Sequence, residues 1–280
     1  LSFRNVQTLW QAIGSVWQSM AIIREFKPDV VIGTGGYVCG PVLFAASLLK
    51  IPTLVQEQNV IPGITNRILA RFVDKVALGY VQAGRYFATP EKLITTGNPI
   101  RAEIMTQKRE DGINAFGLDP NKFTVLAAGG SQGAHTINQA MLQVDLHFAG
   151  SNQIQILHVT GQNEYSDIVG KFMQDCIDVG KSGNIIIKPY LYNMPLALAV
   201  ADLAVFRAGA LGLAELTARG IPAVLIPYPY ATGNHQEHNA RVLADHGAAI
   251  VIRDAELTGE RLIAIIEDLV ANRQKLQAMS

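Results

Sequence analysis

The sequence predicts an α/β protein of two doubly wound, Rossmann-like domains with parallel sheets, and three observations predict it. Short β-branched runs alternate with longer stretches of helical period along the whole chain, the pattern of strands covered by helices. A Gly97-Asn98-Pro99 turn interrupts that alternation near residue 100. Beyond it the chain starts afresh, with its own strand, glycine turn and helix from Phe123 onward. The 280 residues, 49% apolar and 16% charged, suffice for one large or two medium domains, each able to bury a core.

The turn divides the chain into residues 1–101 and 102–280. In the first domain strands are expected at Asp29–Gly33, Pro52–Gln56, Lys75–Leu78 and Lys92–Thr95, with helices at Phe3–Phe26, Pro41–Leu49 and Gly63–Phe72. In the second, strands are expected at Phe123–Ala128, Ile154–Val159, Asn184–Lys188, Leu203–Phe206, Ala223–Ile226 and Ala249–Ile252, with helices in the gaps. Four strands after an opening helix are few for such a domain, which implies a further N-terminal piece. Ligands of open α/β sheets sit at strand carboxyl ends, so a cleft between two such domains is the expected site.

Composition narrows the classes. Cys39 and Cys176 stand far apart without metal-ligand spacing, fitting a reduced cytosolic compartment and structural roles. No apolar run reaches the roughly 18 residues of a membrane span, and Leu1-Ser2-Phe3 does not open a signal peptide. The zero net charge conceals an asymmetry: residues 1–101 carry ten Lys/Arg against five Asp/Glu, and residues 102–280 thirteen against eighteen. The basic half suits an anionic surface or a phosphate-bearing substrate, and no nucleic-acid partner is expected.

Two glycine turns carry the chemistry. Gly129-Gly130-Ser131-Gln132-Gly133 follows a buried-strand run and opens a helix. Its glycines let backbone approach a ligand, and the helix start offers amides and partial positive charge, which together suit a diphosphate; Ser131 adds a hydroxyl. Gly33-Thr34-Gly35-Gly36-Tyr37 repeats the device in the first domain. Neither turn has the full G-x-G-x-x-G spacing of a dinucleotide site, and neither carries a P-loop lysine.

A third small-residue turn, Arg207-Ala208-Gly209-Ala210-Leu211-Gly212, leads into a helix with Glu215, whose carboxylate can accept from vicinal hydroxyls such as those of a ribose. The amide-rich loop Thr232–Asn239, with His235 and Gln236, suits sugar hydroxyls. His235 and His238 lack a third metal ligand, and no D-x-D motif occurs.

Together with Glu57-Gln58-Asn59 and Gly97-Asn98-Pro99-Ile100-Arg101, these segments resemble glycosyltransferase family 28, enzymes of the GT-B fold, in the right order along almost the whole chain. Within that family the likeness is to the inverting transferases that move N-acetylglucosamine from UDP-N-acetylglucosamine to the 4-hydroxyl of a lipid-linked muramyl-pentapeptide diphosphate, in peptidoglycan synthesis. The resemblance implies that Glu215 holds the ribose and that backbone at Leu191 reads the uracil. It implies that Ser131 and the helix start at Ala210, Leu211 and Gly212 bind the diphosphate, with Leu213 and Ala214 in the same donor-binding segment. Gln236, His235 and Asn59 would meet the sugar, and Arg101 would sit by the donor. Gly35, Gly36 and Tyr37 would lie on the acceptor side.

No metal or other cofactor is implied. The favoured base, a His of an earlier glycine turn, is expected before Leu1, so residues 1–280 alone are expected to be inactive; Glu57 is a secondary candidate. Ala208 and Gly212 replace hydroxyl residues of the family pattern, leaving backbone contacts there. The chain is expected to reach Ser280 after one helix, where the family continues.

In the first helix Val6, Leu9, Trp10, Ile13, Val16, Trp17 and Met20 recur on one face, with Arg4, Arg24 and Lys27 nearby. Part of this stripe is expected in the core and part, with Trp10, Ile13 and Trp17, at an anionic membrane surface. The location implied is peripheral, on the cytoplasmic face of the bacterial plasma membrane. Other readings stay open: another GT-B nucleotide-sugar transferase, then a nicotinamide-dependent oxidoreductase, which fits the fold but not the broken fingerprint, and a noncatalytic carbohydrate-binding or scaffold protein.

Overall fold

The computed structural model describes residues 3–130, 133–174 and 183–280, and the chain divides into two compact units, Leu1–Asn98 and Pro99–Ser280. Arg101 therefore belongs to the second unit, three residues past the division, where it occupies the position just before that unit's first helix. The units then carry nine basic against five acidic residues and fourteen against eighteen, so the asymmetry is +4 and −4.

The first unit opens with helix α1 (Phe3–Phe26) and continues β1 (Val31–Gly33), α2 (Cys39–Leu48), β2 (Thr53–Glu57), α3 (Ile64–Leu69), β3 (Lys75–Leu78) and β4 (Leu93–Thr95). The strands form one parallel sheet in the order β1-β2-β3-β4. Short 3-10 turns at Val81–Tyr86 and Pro90–Lys92 replace a crossover helix between β3 and β4. Val55, Val76, Leu78 and Leu43 form the core between sheet and helices. Asp74, just before β3, accepts from the Thr53 amide at 2.8 Å and the Thr53 hydroxyl at 2.9 Å, which ties β2 to β3. Those two bonds hold its carboxyl below the ordinary carboxylate range.

The α1 stripe divides as its composition suggests. Ile23 is buried against Ala45 and Ala46 of α2, with Val16 and Met20 packed beside it. Trp10, Ile13 and Trp17, spaced to share one face, stay exposed at 69%, 42% and 66%. The side chains of Val6 and Leu9 lie outside the described ones.

The second unit runs α4 (Ala102–Thr106), α5 (Arg109–Phe116), β5 (Phe123–Ala128), α6 (His135–Phe148), β6 (Ile154–Val159), α7 (Tyr165–Gln174), β7 (Ile185–Lys188), α8 (Met194–Val200), β8 (Leu203–Phe206), α9 (Ala210–Arg219), β9 (Ala223–Leu225), α10 (His235–Asp245), β10 (Ala249–Val251), α11 (Gly259–Ala271) and α12 (Arg273–Met279). Its parallel six-stranded sheet has the order β10-β9-β8-β5-β6-β7. Period-2 alternation sends Val125, Ala127, Leu203 and Val205 to one face, against α6 and α11, and Leu126, Ala128, Ala204 and Phe206 to the other, with Leu213 of α9. Both faces are covered, so these strands read as continuous apolar runs. A fully buried leucine such as Leu126 contributes about 1.5–3 kcal/mol.

The chain ends in two helices where the sequence predicts one. Asn272 breaks the run after α11, and its side-chain oxygen accepts from the Lys275 amide at 3.0 Å to cap α12. Cys39 is a partly buried free thiol at the start of α2, whereas Cys176 lies outside the described residues.

Candidate functional site

The strand order fixes where a ligand belongs. From β5 the chain adds β6 and β7 on one side, then crosses back to add β8, β9 and β10 on the other, so the winding reverses between β5 and β8. Connections leaving neighbouring strands in opposite directions open a crevice at their carboxyl ends. A cavity of about 740 Å³ lies there, bounded by Ala128, Val159, Phe206 and the loops that follow these strands. A larger cavity, about 1160 Å³, lies near the opposite strand ends beside Phe123, Ile154 and Pro222, away from the strand-end loops.

Two helices start at the first cavity's wall. Gly133, Ala134 and His135 bring in α6, and Gly209 and Gly212 bring in α9. First-turn amides have no partner inside their own helix, and the aligned dipoles add partial positive charge, so the wall is suited to an anion. Gly133 has to be glycine: its φ is +80°, and a Cβ there would stand 2.2 Å from the Thr160 carbonyl oxygen. Ser131 and Gln132, the tip of this turn, lie outside the described residues, so the place of the predicted Ser131 contact is not described.

Glu215, in the second turn of α9, reaches the same cavity from the side. Arg101 donates to its Oε1 from 3.5 Å, with the arginine side chain half exposed. So loose a pair is worth little and leaves the carboxylate able to accept from a ligand. Gly212 lines the cavity too, whereas Ala210 and Leu213 are buried in the core, Leu211 is exposed and Ala214 is partly buried. Side chains of those four therefore do not form the wall, and only backbone of this segment is placed to serve a ligand there.

On the remaining wall Leu191 is buried between Tyr190 and Tyr192, whose rings meet edge to face at 5.0 Å. Gln236 lines the cavity and its Oε1 accepts from the Tyr228 amide at 2.9 Å. His235 does not line it; its Nδ1 sits 2.6 Å from the Thr232 carbonyl and closes its own turn.

Sequence reasoning missed the hub beneath this wall. The nearly buried Arg207 guanidinium pairs with Asp254 and donates to the carbonyls of Ile226 and Pro227 at 3.2 and 3.3 Å. Thr136 of α6 donates to the same Asp254 at 3.0 Å. One arginine thus ties together the ends of β8, β9, β10 and the start of α6, a charge buried with its partner. The available signal was a cation straight after an all-apolar strand.

The first unit holds the other turn. Gly35 and Gly36 have φ of +95° and +81°, and Tyr37 is exposed. Gln58 donates to the Thr34 carbonyl at 2.8 Å and ties the turn to the end of β2. Glu57 is 1% exposed, and both its oxygens are engaged. Oε1 accepts from the Asn59 amide at 2.9 Å and its side chain at 3.3 Å; Oε2 accepts from the Gly63 amide at 3.1 Å and Asn66 Nδ2 at 2.8 Å. A general base must reach the proton it takes. Glu57 instead organises the 58–63 loop, which corrects its reading as a secondary base. Among the described residues no three His, Cys, Asp or Glu side chains gather as a metal ion would need.

Comparison with known proteins joins the two units in one family. The model for the glycosyltransferase family 28 N-terminal domain matches residues 1–78, and that for the family's C-terminal domain matches residues 124–280. A protein of Desulforamulus reducens named UDP-N-acetylglucosamine--N-acetylmuramyl-(pentapeptide) pyrophosphoryl-undecaprenol N-acetylglucosamine transferase is 50% identical over all 280 residues, which cover 75% of its length. The protein of the same name from Bacillus subtilis is 46% identical, again over the whole chain and 76% of its own length. The crystal structure of Acinetobacter baumannii MurG superposes with a TM-score of 0.73 at 30% identity, covering 96% of this chain and 74% of that one. An S. aureus MnaA–UDP co-structure, 12% identical with a TM-score of 0.69 over 96% of this chain and 74% of its own, shares the fold. These parallel sheets are the two halves of a GT-B enzyme, and the chain belongs to glycosyltransferase family 28.

Proposed function

We propose that this hexosyltransferase moves N-acetylglucosamine from UDP-N-acetylglucosamine to an N-acetylmuramyl-(pentapeptide) pyrophosphoryl-undecaprenol acceptor, the reaction in its relatives' names. The observation that carries the reading is the cavity at the winding reversal of the second sheet, where two helix starts and Glu215 converge. Uracil lies against backbone at Leu191, the ribose hydroxyls on Glu215, the diphosphate at the starts of α6 and α9, and Gln236 near the sugar. In the first unit, the turn at Gly35, Gly36 and Tyr37 is the acceptor-side contact, toward the acceptor's diphosphate.

The chemistry is one inverting displacement. The acceptor hydroxyl loses its proton to a general base and forms a bond to the anomeric carbon, while the bond from that carbon to the UDP oxygen breaks. Charge grows on the departing diphosphate, and helix-start amides stabilise it more in the transition state than in the ground state, which lowers the barrier. Calorimetry tests the donor half: UDP is expected to bind the chain and NAD is not. Binding of NAD in place of UDP would return the oxidoreductase reading.

The acceptor's lipid brings the enzyme to a membrane surface. No described helix is long and apolar enough to cross a bilayer. The exposed Trp10, Ile13 and Trp17 of α1 suit the headgroup layer of the cytoplasmic leaflet, with Arg24 and Lys27 for anionic lipid. Trp10→Ser with Trp17→Ser is expected to lower partition onto vesicles containing phosphatidylglycerol about tenfold or more, as co-sedimentation measures, by loss of the buried ring area. Unchanged partition would remove α1 from the membrane contact.

A further inference from the structure

The donor cavity carries a histidine to which the proposed reaction gives no role. His135 is the first residue of α6 and lines the wall beside Gly133. Its Nδ1 lies 3.1 Å from Glu164 Oε2. That carboxylate oxygen also accepts from Asn138 Nδ2 at 3.2 Å. Asn138 is fully buried and is itself fixed, since its Nδ2 donates to the Thr160 carbonyl at 2.8 Å and its Oδ1 lies 3.3 Å from His158 Nε2. The orientation of Glu164 is thus set from the core outward, and Glu164 sets the ring of His135.

The chemistry of the dyad follows from its donors and acceptors. A carboxylate only accepts, so the hydrogen on the Glu164 side belongs to Nδ1, and Nε2 is the nitrogen left for a ligand. Protonated there, the ring presents a second N–H and a positive charge with its countercharge already in place, next to helix amides that favour the same anion. We propose that His135, oriented by Glu164, donates from Nε2 to an oxygen of the nucleotide's diphosphate and is a cationic contact for the leaving group. This rests on the reading of the cavity as a UDP-sugar site. Glu164 is a positioning residue: it touches no ligand and acts through the imidazole.

The test compares UDP with uridine, which keeps the base and ribose but lacks the phosphates, each titrated into the 280-residue chain by calorimetry or ligand-detected NMR. His135→Ala is expected to weaken UDP about tenfold or more, the scale of one hydrogen bond to a charged group, and to leave uridine unchanged. His135→Lys restores a cation and is expected to recover UDP affinity to within about threefold. Glu164→Gln is expected to weaken UDP several-fold, again without effect on uridine. Wild-type UDP affinity in His135→Ala, or equal loss of UDP and uridine, would overturn the proposal. If the unsubstituted chain binds neither ligand, it is the donor-site reading that fails, and the two failures are distinguished.

Discussion

Glu215→Ala is expected to weaken UDP binding about 10- to 100-fold and to erase discrimination between UDP and 2′-deoxy-UDP. The carboxylate stands on α9 at the cavity wall, facing a half-exposed Arg101 at 3.5 Å that does not hold it tightly. Two ribose hydroxyls donating to one carboxylate make charge-assisted bonds of about 1.5–3 kcal/mol each in a sheltered site, partly offset by desolvation. Glu215 is partly exposed and outside the apolar core, so the substitution should leave thermal unfolding nearly unchanged. Calorimetry with the two nucleotides checks this, and a variant still preferring UDP over its deoxy form would remove Glu215 from the ribose.

The largest stability effect is expected at Asp145→Ala. Asp145 of α6 and His158 of β6 are both fully buried, with Oδ2 and Nδ1 2.7 Å apart and the second aspartate oxygen without a hydrogen-bond partner. Removing one member of a buried pair leaves the other unsatisfied, which typically costs about 3–5 kcal/mol. Both tryptophans, Trp10 and Trp17, lie in the first unit, so fluorescence would report the wrong half. Hydrogen exchange of the β5 and β6 amides in urea is the measurement that follows the second unit. A loss below about 1 kcal/mol would mean that the pair is no tighter than an ordinary hydrogen bond.

The strands of this protein are legible in its sequence because they are buried on both faces. Phe123–Ala128 and Leu203–Phe206 are unbroken apolar or β-branched runs, and Ile154–Val159 is apolar but for the buried Gln155 and His158; all three fold with those limits. Helix ends are less legible: the helix expected at Gly63–Phe72 spans Ile64–Leu69, and Asn272 splits the last helix. The glycine turns and Glu215 show themselves by local order along the chain. Partnerships across it do not. His135 and Glu164 are 29 positions apart and Arg207 and Asp254 are 47, and only the sheet brings each pair together. Asp145 had a readable signal, a lone acid on the apolar stripe of Ile137, Met141, Val144 and Phe148. Glu57 misled for the opposite reason, because an acid beside two amides reads as chemistry when its surroundings are unknown.

The central strand of the second unit pairs with β6 on one side and with β8 on the other, joining Val125 to Leu203 across 78 positions. Such non-local pairing forms slowly and late, because a long loop must close before any contact rewards it. The cavity's walls come from several loops, those after β5, β7, β8, β9 and β10 among them, so the cavity is complete only once the sheet has formed. On the proposed reading UDP is a ligand of the finished second unit, expected to raise its stability by mass action and to slow its unfolding without speeding its assembly.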